Sequence, residues 1–151
     1  MTLPICSRSG DIIEPYLKPQ WWVAQKKMAQ AAIDAVKSGE IKISPKSSEA
    51  EFFRWLENIQ DWCISRQLWW GHRCPVYLAN IEGENNERND GKFWFSGRNE
   101  KEAREKAEKA FPGKNFTLEQ DEDVLDTWFS SGLWPFSTLG WPRKTKDMEK
   151  F

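Results

Sequence analysis

The stretch Asp61-Trp62-Cys63-Ile64-Ser65-Arg66-Gln67-Leu68-Trp69-Trp70-Gly71-His72-Arg73 decides how this chain is to be read. Its three tryptophans are spaced seven and one apart, which fits neither the period of a helix nor the alternation of a strand. Arg66, Gln67, His72 and Arg73 share the same short length of chain. Flat rings beside fork-shaped donors suit a cleft wall, where aromatic area shapes a pocket and a few polar groups orient what enters it. The competing reading is a buried aromatic corner, because tryptophan commonly serves as core.

Upstream, Ser47 and Ser48 stand where a helix begins, and Glu51 three residues after Ser48 completes a capping-box pattern. Phe52, Trp55 or Leu56, and Ile59 then form an apolar stripe that leads directly into the tryptophan-rich stretch. Before it, Ile41-Lys42-Ile43-Ser44-Pro45 alternates and stops at proline, as a short strand or an extended arm does. Trp21, Ala24, Met28, Ala31 and Ala35, widened by Ala32 and Val36, recur at spacings of three and four until Gly39. That pattern predicts an amphipathic helix from about residue 20. Residues 5–20 hold a Ser9-Gly10-Asp11 turn signal, and Pro15 and Pro19 forbid a continuous helix there.

Downstream, Pro75-Val76-Tyr77-Leu78-Ala79 has the bias of a strand. A polar run over 81–92 ends in the turn dipeptide Asp90-Gly91 and gives way to Phe93-Trp94-Phe95, which reads as a long-looped hairpin. Asn99 and Glu102 cap a charged helix to about Ala110, its apolar marks being Ala103, Ala107 and Phe111. Phe116-Thr117-Leu118 forms a third short strand of this appendage. The segment Asp121-Glu122-Asp123-Val124-Leu125-Asp126-Thr127-Trp128-Phe129 crowds four carboxylates together. In a compact interior these repel unless cations meet them, so they are either solvated or paired. Asp126 caps a short helix over 127–133. Beyond that helix, Pro135, Gly140 and Pro142 break the chain, leaving a polar tail from Arg143 that stops mid-element.

Composition bounds the function. A chain of 151 residues is about one domain. Twenty-two basic against twenty-three acidic residues leave it near neutral, so no global field draws it to nucleic acid or membrane, and any polynucleotide contact is local. Ten tryptophans and nine phenylalanines exclude a disordered composition. No apolar run approaches the roughly 20 residues of a membrane helix, and the N-terminus lacks the blocks of a signal peptide, so an intracellular aqueous compartment is expected. Cys6, Cys63 and Cys74 are odd in number with no C-x-x-C pair, which points to reduced structural thiols rather than disulfides or a zinc knuckle.

Complete catalytic centres are missing from the pattern. The acidic cluster at 121, 122, 123 and 126 has no central glycine or spaced bidentate glutamate for a calcium loop. His72 has only Cys74 nearby as a nucleophile, with no third group to orient the base. Arg66 and Arg73 can grip phosphates as planar donors or pair with the acidic cluster, and the sequence leaves both readings open. No Gly-rich phosphate loop is present.

Two long motifs carry a resemblance. Trp62-Cys63-Ile64-Ser65-Arg66-Gln67-Leu68-Trp69-Trp70-Gly71-His72 resembles the segment of class I aminoacyl-tRNA synthetases for branched aliphatic amino acids where the chain re-enters the catalytic domain after the editing insertion. The run from Asp123 to Pro142, with Asp126-Thr127-Trp128-Phe129-Ser130-Ser131-Gly132, looks like the valyl branch, since isoleucyl relatives carry a second Asp where this chain has Ser130. Arg8-Ser9-Gly10-Asp11 with Leu17-Lys18-Pro19-Gln20-Trp21 is similar to the exit from the editing domain.

The resemblance implies an α/β fold, part of a Rossmann-type class I catalytic domain with a small α+β insertion. Residues 1–20 would then be the exit from the editing insertion, 21–80 a catalytic-domain segment of two helices and a re-entry strand, 81–119 a hairpin-plus-helix insertion, and 120–151 a catalytic-domain segment. It implies that the whole enzyme activates valine with ATP and Mg2+ and esterifies it to tRNA(Val), in the cytoplasm or also in mitochondria, with the remaining synthetase domains as partners. Trp128 matches the aromatic wall of the valine pocket, Asp126 fixes the loop that presents it, and Arg66 and Gln67 support the adenylate or the tRNA end. Neither the His-Ile-Gly-His nor the Lys-Met-Ser-Lys-Ser type of ATP signature is present, so these residues alone are not expected to aminoacylate. Bacterial members carry zinc-binding Cys pairs after the Trp-Trp-Gly-His segment, whereas 80–118 hold none; no metal and a eukaryotic type are therefore expected. The alternative is a standalone module that uses exposed Trp and Arg to stack on single-stranded RNA or grip a protein partner.

Overall fold

Pro15 and Pro19 keep the chain extended over residues 13–21 in the computed structural model, which describes residues 3–150. Ahead of them the predicted turn forms. Cys6 N–H donates to Asp11 O at 2.8 Å, and Gly10 adopts φ +78, a left-handed conformation that a side chain disfavours. Strand β1 (Trp22–Val23) comes next, and then helix α1 (Lys26–Lys37).

The helix begins later than its pattern predicts, and the cause is a competing set of backbone bonds. Trp21 N–H donates to Ser65 Oγ at 2.8 Å, and Trp21 O accepts from Ile64 N at 2.9 Å. Its backbone groups are thus committed to chain more than forty residues away and are not free for a helical turn. The buried face is correspondingly rotated: Ala29, Ile33 and Val36 are buried, whereas Met28, expected on the stripe, is 57% exposed. Gly39, at φ +83, stops the helix as predicted.

Residues 41–45 run as an arm without strand pairing. A 3₁₀ turn over 46–48 then leads into α2 (Glu49–Glu57), and Ser48, itself in the right-handed region, makes no side-chain cap. The expected capping box is absent because Glu51 instead accepts from Arg54 Nη2 at 2.6 Å and from Trp55 Nε1 at 2.7 Å. Helix α2 packs on α1. Phe52, Leu56 and Ile59 are half-buried and Trp55 is exposed, which decides between the two candidate stripe residues.

Beyond α2 the chain makes two very short strands, β2 (Trp62–Cys63), antiparallel to β1, and β3 (Ser65–Arg66). Then comes the sheet of the small module. Strand β4 (Val76–Ile81) lies at its centre, flanked by β5 (Trp94–Ser96) and β6 (Phe116–Gln120), both antiparallel to it. This sheet therefore takes in residues 76–80, which the sequence groups with the preceding segment. Helix α3 (Glu100–Ala110) closes the module through Ala103 and Ala107, both fully buried. Its cap is the predicted one: Asn99 Oδ1 accepts from Glu102 N, and Glu102 Oε2 accepts from Arg98 N, each at 3.0 Å. Leu78, Ile81 and Phe93 form the core, with Trp94, Phe111 and Phe116 packed around it.

Strand β7 (Val124–Leu125) returns to pair antiparallel with β3 and leads into α4 (Thr127–Ser131), α5 (Trp134–Ser137) and α6 (Lys146–Lys150). Pro135 falls in the first turn of α5, where a missing N–H costs nothing, so it starts a helix instead of breaking one. The chain is a mixture of helices and strands. Every pairing between its named strands is antiparallel, and no parallel sheet forms among the described residues. No helix among those residues is long and apolar enough to cross a membrane.

This packing leads to two testable outcomes. Leu78→Ala, opening a cavity beside Ile81 and Phe93, should lower unfolding free energy by about 2–5 kcal/mol in urea denaturation, and a loss below about 1 kcal/mol contradicts the assigned core. The cysteines should also separate by reactivity. Bonds from the Ser9 hydroxyl and the Ser9 and Arg8 backbone lower the half-buried Cys6 thiol to about 7, whereas burial, helped by Asp121 and Asp123, pushes Cys74 up to about 11. The thiolate is the reactive form, so alkylation of the folded chain at about pH 8 should modify Cys6 first and Cys74 last, as read by peptide mass spectrometry. Equal rates at the two sites contradict this environment.

Candidate functional site

Three of the four clustered carboxylates are buried: Asp121 is 9% exposed, Asp123 4% and Asp126 8%. A carboxylate taken out of water has to be met by donors, and each of these is. Asp121 Oδ2 accepts from Trp21 Nε1 at 2.7 Å and its Oδ1 from Asp123 N at 2.9 Å. Asp123 Oδ1 accepts from Lys18 Nζ at 2.6 Å and its Oδ2 from Gln67 Nε2 at 2.8 Å. Asp126 pairs with Arg66 Nη2 through Oδ2, and its Oδ1 accepts from Trp128 N at 2.9 Å. Ser65 Oγ donates to Gln20 Oε1 at 2.7 Å, and Gln67 Nε2 reaches the same oxygen at 3.1 Å. Glu122 alone of the four is exposed.

The result is a polar hub that ties residues 18–21, 63–67 and 121–128 together. It resolves the alternative the sequence left open, since Arg66 spends its fork on Asp126 and on the carbonyls of Cys63 and Ser65, at 2.9 and 2.8 Å. Arg73 takes neither predicted partner and instead donates to the backbone carbonyls of Asp121 and Gln120. The hydrogen bond to Asp123 raises the Lys18 pKa above 10.5. The stabilisation from this ammonium is therefore fully present below that ordinary value and is lost only as pH rises through the raised one.

Trp128 stands at the start of α4 and is 75% exposed. Trp69, Trp70 and Trp134 are still more open or nearly as open, at 99%, 83% and 70%. The tryptophan-rich stretch is thus neither a buried corner nor, within these residues, an enclosed cleft. Trp62 is the exception, half-buried and edge-on to Phe129 at 5.9 Å. Gly71 brings the chain back against Val124, where a Cβ would lie 3.0 Å from the valine side chain, and His72 O accepts from Leu125 N at 2.7 Å. A Cys-His nucleophile is not assembled, because Cys74 is sealed at 1% exposure and held protonated by burial. Among the described residues no three His, Cys, Asp or Glu side chains gather in a metal-holding group.

One concavity escapes sequence reasoning. A cleft of about 590 Å³ is lined by Lys18, Gln20, Trp21, Arg88, Asn89 and Trp94 together with Asp121 to Asp123. Trp21 and Trp94 meet edge to face at 5.2 Å in its wall. By spacing Trp21 belongs to a helix, so no local signal joins it to a strand far along the chain. Trp128, Asp126, Arg66 and Gln67 are not among the residues lining this cleft.

Comparison with known proteins bears on this arrangement. The chain is 72% identical over its full length to the mitochondrial valine--tRNA ligase of Saccharomyces cerevisiae, 65% identical to the valine--tRNA ligase of Schizosaccharomyces pombe and 52% identical to that of Homo sapiens. It spans 14%, 16% and 12% of those proteins respectively. The family model of the tRNA synthetases class I (I, L, M and V) matches residues 7–151, the two aromatic motifs and the whole carboxylate hub included, and the chain belongs to that family.

Proposed function

We infer that these residues supply part of a valine--tRNA ligase, an enzyme that activates valine with ATP and Mg2+ and esterifies it to tRNA(Val). The observation that carries this reading is identity of 52% or more along the full chain to relatives that bear that name. None of those three relatives is a free-standing RNA- or protein-binding module, so the alternative has no support from them. The first of them is named mitochondrial, and we read the compartment as the cytoplasm, mitochondria or both.

On this reading Trp128 forms one wall of the valine pocket, and the remaining walls and the ATP-binding signatures come from other parts of the ligase. Residues 1–20 lead out of the editing insertion, 21–80 and 120–151 belong to a Rossmann-type catalytic domain, and 81–119 form an insertion whose sheet also takes in 76–80. A rigid indole, 75% exposed here, suits the role: it bounds the volume open to a branched side chain and excludes larger ones. It does not reject threonine, because an apolar wall discriminates poorly against an isosteric hydroxyl, which is the chemical reason such an enzyme needs editing. Asp126 holds the turn that presents the indole. Gln67, its amide engaged within the hub, supports the adenylate or tRNA end, whereas Arg66 has its guanidinium committed to Asp126 and to two backbone carbonyls and contacts neither.

The test is Trp128→Ala in a full-length valine--tRNA ligase carrying this sequence at the equivalent place. Valine-dependent ATP–pyrophosphate exchange should show a KM for valine raised about tenfold or more, with isoleucine gaining relative to valine and the KM for ATP unchanged. An unchanged valine KM overturns the pocket assignment.

A further inference from the structure

Helix α4 cannot set its own direction. It has five residues, too few to be stable by itself, and none of them is buried. Its ring contact with the rest of the hub region is Phe129 against Trp62. What fixes its first turn is the cap: Asp126 Oδ1 accepts from Trp128 N at 2.9 Å, while Asp126 N donates to Ile64 O at 2.7 Å. That carboxylate is in turn gripped from the neighbouring strand. The guanidinium of Arg66 reaches Asp126 with Nη2 and, with Nη1, anchors itself on Cys63 O and Ser65 O. A planar fork can make these bonds together, whereas the compact ammonium of lysine cannot span the same acceptors.

We propose that Arg66 is a positioning residue for amino-acid selection: through Asp126 it orients Trp128, and it acts on valine without touching it. This rests on the pocket reading above and assigns Arg66 a task within it. Removing the guanidinium leaves a carboxylate, 10% exposed in its side chain, without its cation. The carboxylate then turns toward water or takes up a proton, and either change weakens the acceptor that holds the Trp128 amide. The first turn of α4, which carries the indole, then loses the bond that sets its backbone, while the ATP-binding parts of the enzyme are untouched.

The experiment is a double-mutant cycle in the same full-length ligase, using Arg66→Gln, Arg66→Lys, Trp128→Ala and each Arg66 change combined with Trp128→Ala. Arg66→Gln should raise the valine KM about tenfold, with the KM for ATP and for tRNA unchanged and Arg66→Lys recovering only part of the loss. In the Trp128→Ala background the same change should add less than about twofold, because its lever is gone. Equal effects with and without Trp128, a rise in the ATP or tRNA KM, or no change in any constant overturns the proposal. If Trp128→Ala itself leaves the valine KM unaltered, the pocket reading fails first, and the two failures are told apart. Should Arg66→Gln not fold, the cycle is run with Arg66→Lys, whose smaller rise in the valine KM should likewise fall away in the Trp128→Ala background.

Discussion

Burying Asp121, Asp123 and Asp126 obliges the chain to bring a donor to each carboxylate oxygen that leaves water, and this requirement shapes everything around it. The donors come from far away in sequence: Lys18 is 105 residues from Asp123, Trp21 is 100 from Asp121, and Arg66 is 60 from Asp126. Strands of two residues such as β1, β2, β3 and β7 are too short to hold by themselves. They persist here because the side chains beside them are locked to the same buried charges. Removing one partner from such a network leaves an uncompensated group in the interior, so its members stand or fall together.

The tryptophans differ widely in how far they are covered. Rings that serve the interior have a partner or a neighbour in place: Trp21 donates to Asp121, and Trp62 meets Phe129 edge-on. Trp69, Trp70, Trp128 and Trp134 have most of their area in solvent. Exposed indoles of this size and number are unusual on the surface of a soluble protein. The polar hub reaches the start of the segment that carries Trp128 through the Asp126 cap, while the indole itself stays exposed.

Much of the small module is legible in the sequence because its signals are local. The strand at 76–81, the turn at Asp90-Gly91, the Asn99 and Glu102 cap and the alanine face of α3 all lie within a few residues of the features that reveal them. The same holds for Asp126 as the cap of α4. Local pattern misleads where distant contacts override it. Trp21 reads as the first residue of a helix by spacing, yet Ser65 and Ile64 claim its backbone, so α1 starts at Lys26 and presents another face. Ser48 and Glu51 have the spelling of a capping box, but a 3₁₀ turn already places Ser48 inside the helical region. The acidic cluster says only that its carboxylates are solvated or met by partners and does not say which, since nothing in a period of two or of 3.6 points across a hundred residues. The Trp21–Trp94 cleft is out of reach for the same reason.

The hub should act as one unit, and amide hydrogen exchange on the chain with Asp123→Ala tests that most directly. This change strips Lys18 and Gln67 of their shared acceptor. If the hub is a single unit, the amides of Trp21, Ile64 and Asp126 lose protection together, while those pairing β4 with β6 keep theirs. Loss confined to the immediate neighbours of residue 123, with Ile64 and Asp126 as protected as before, would contradict it.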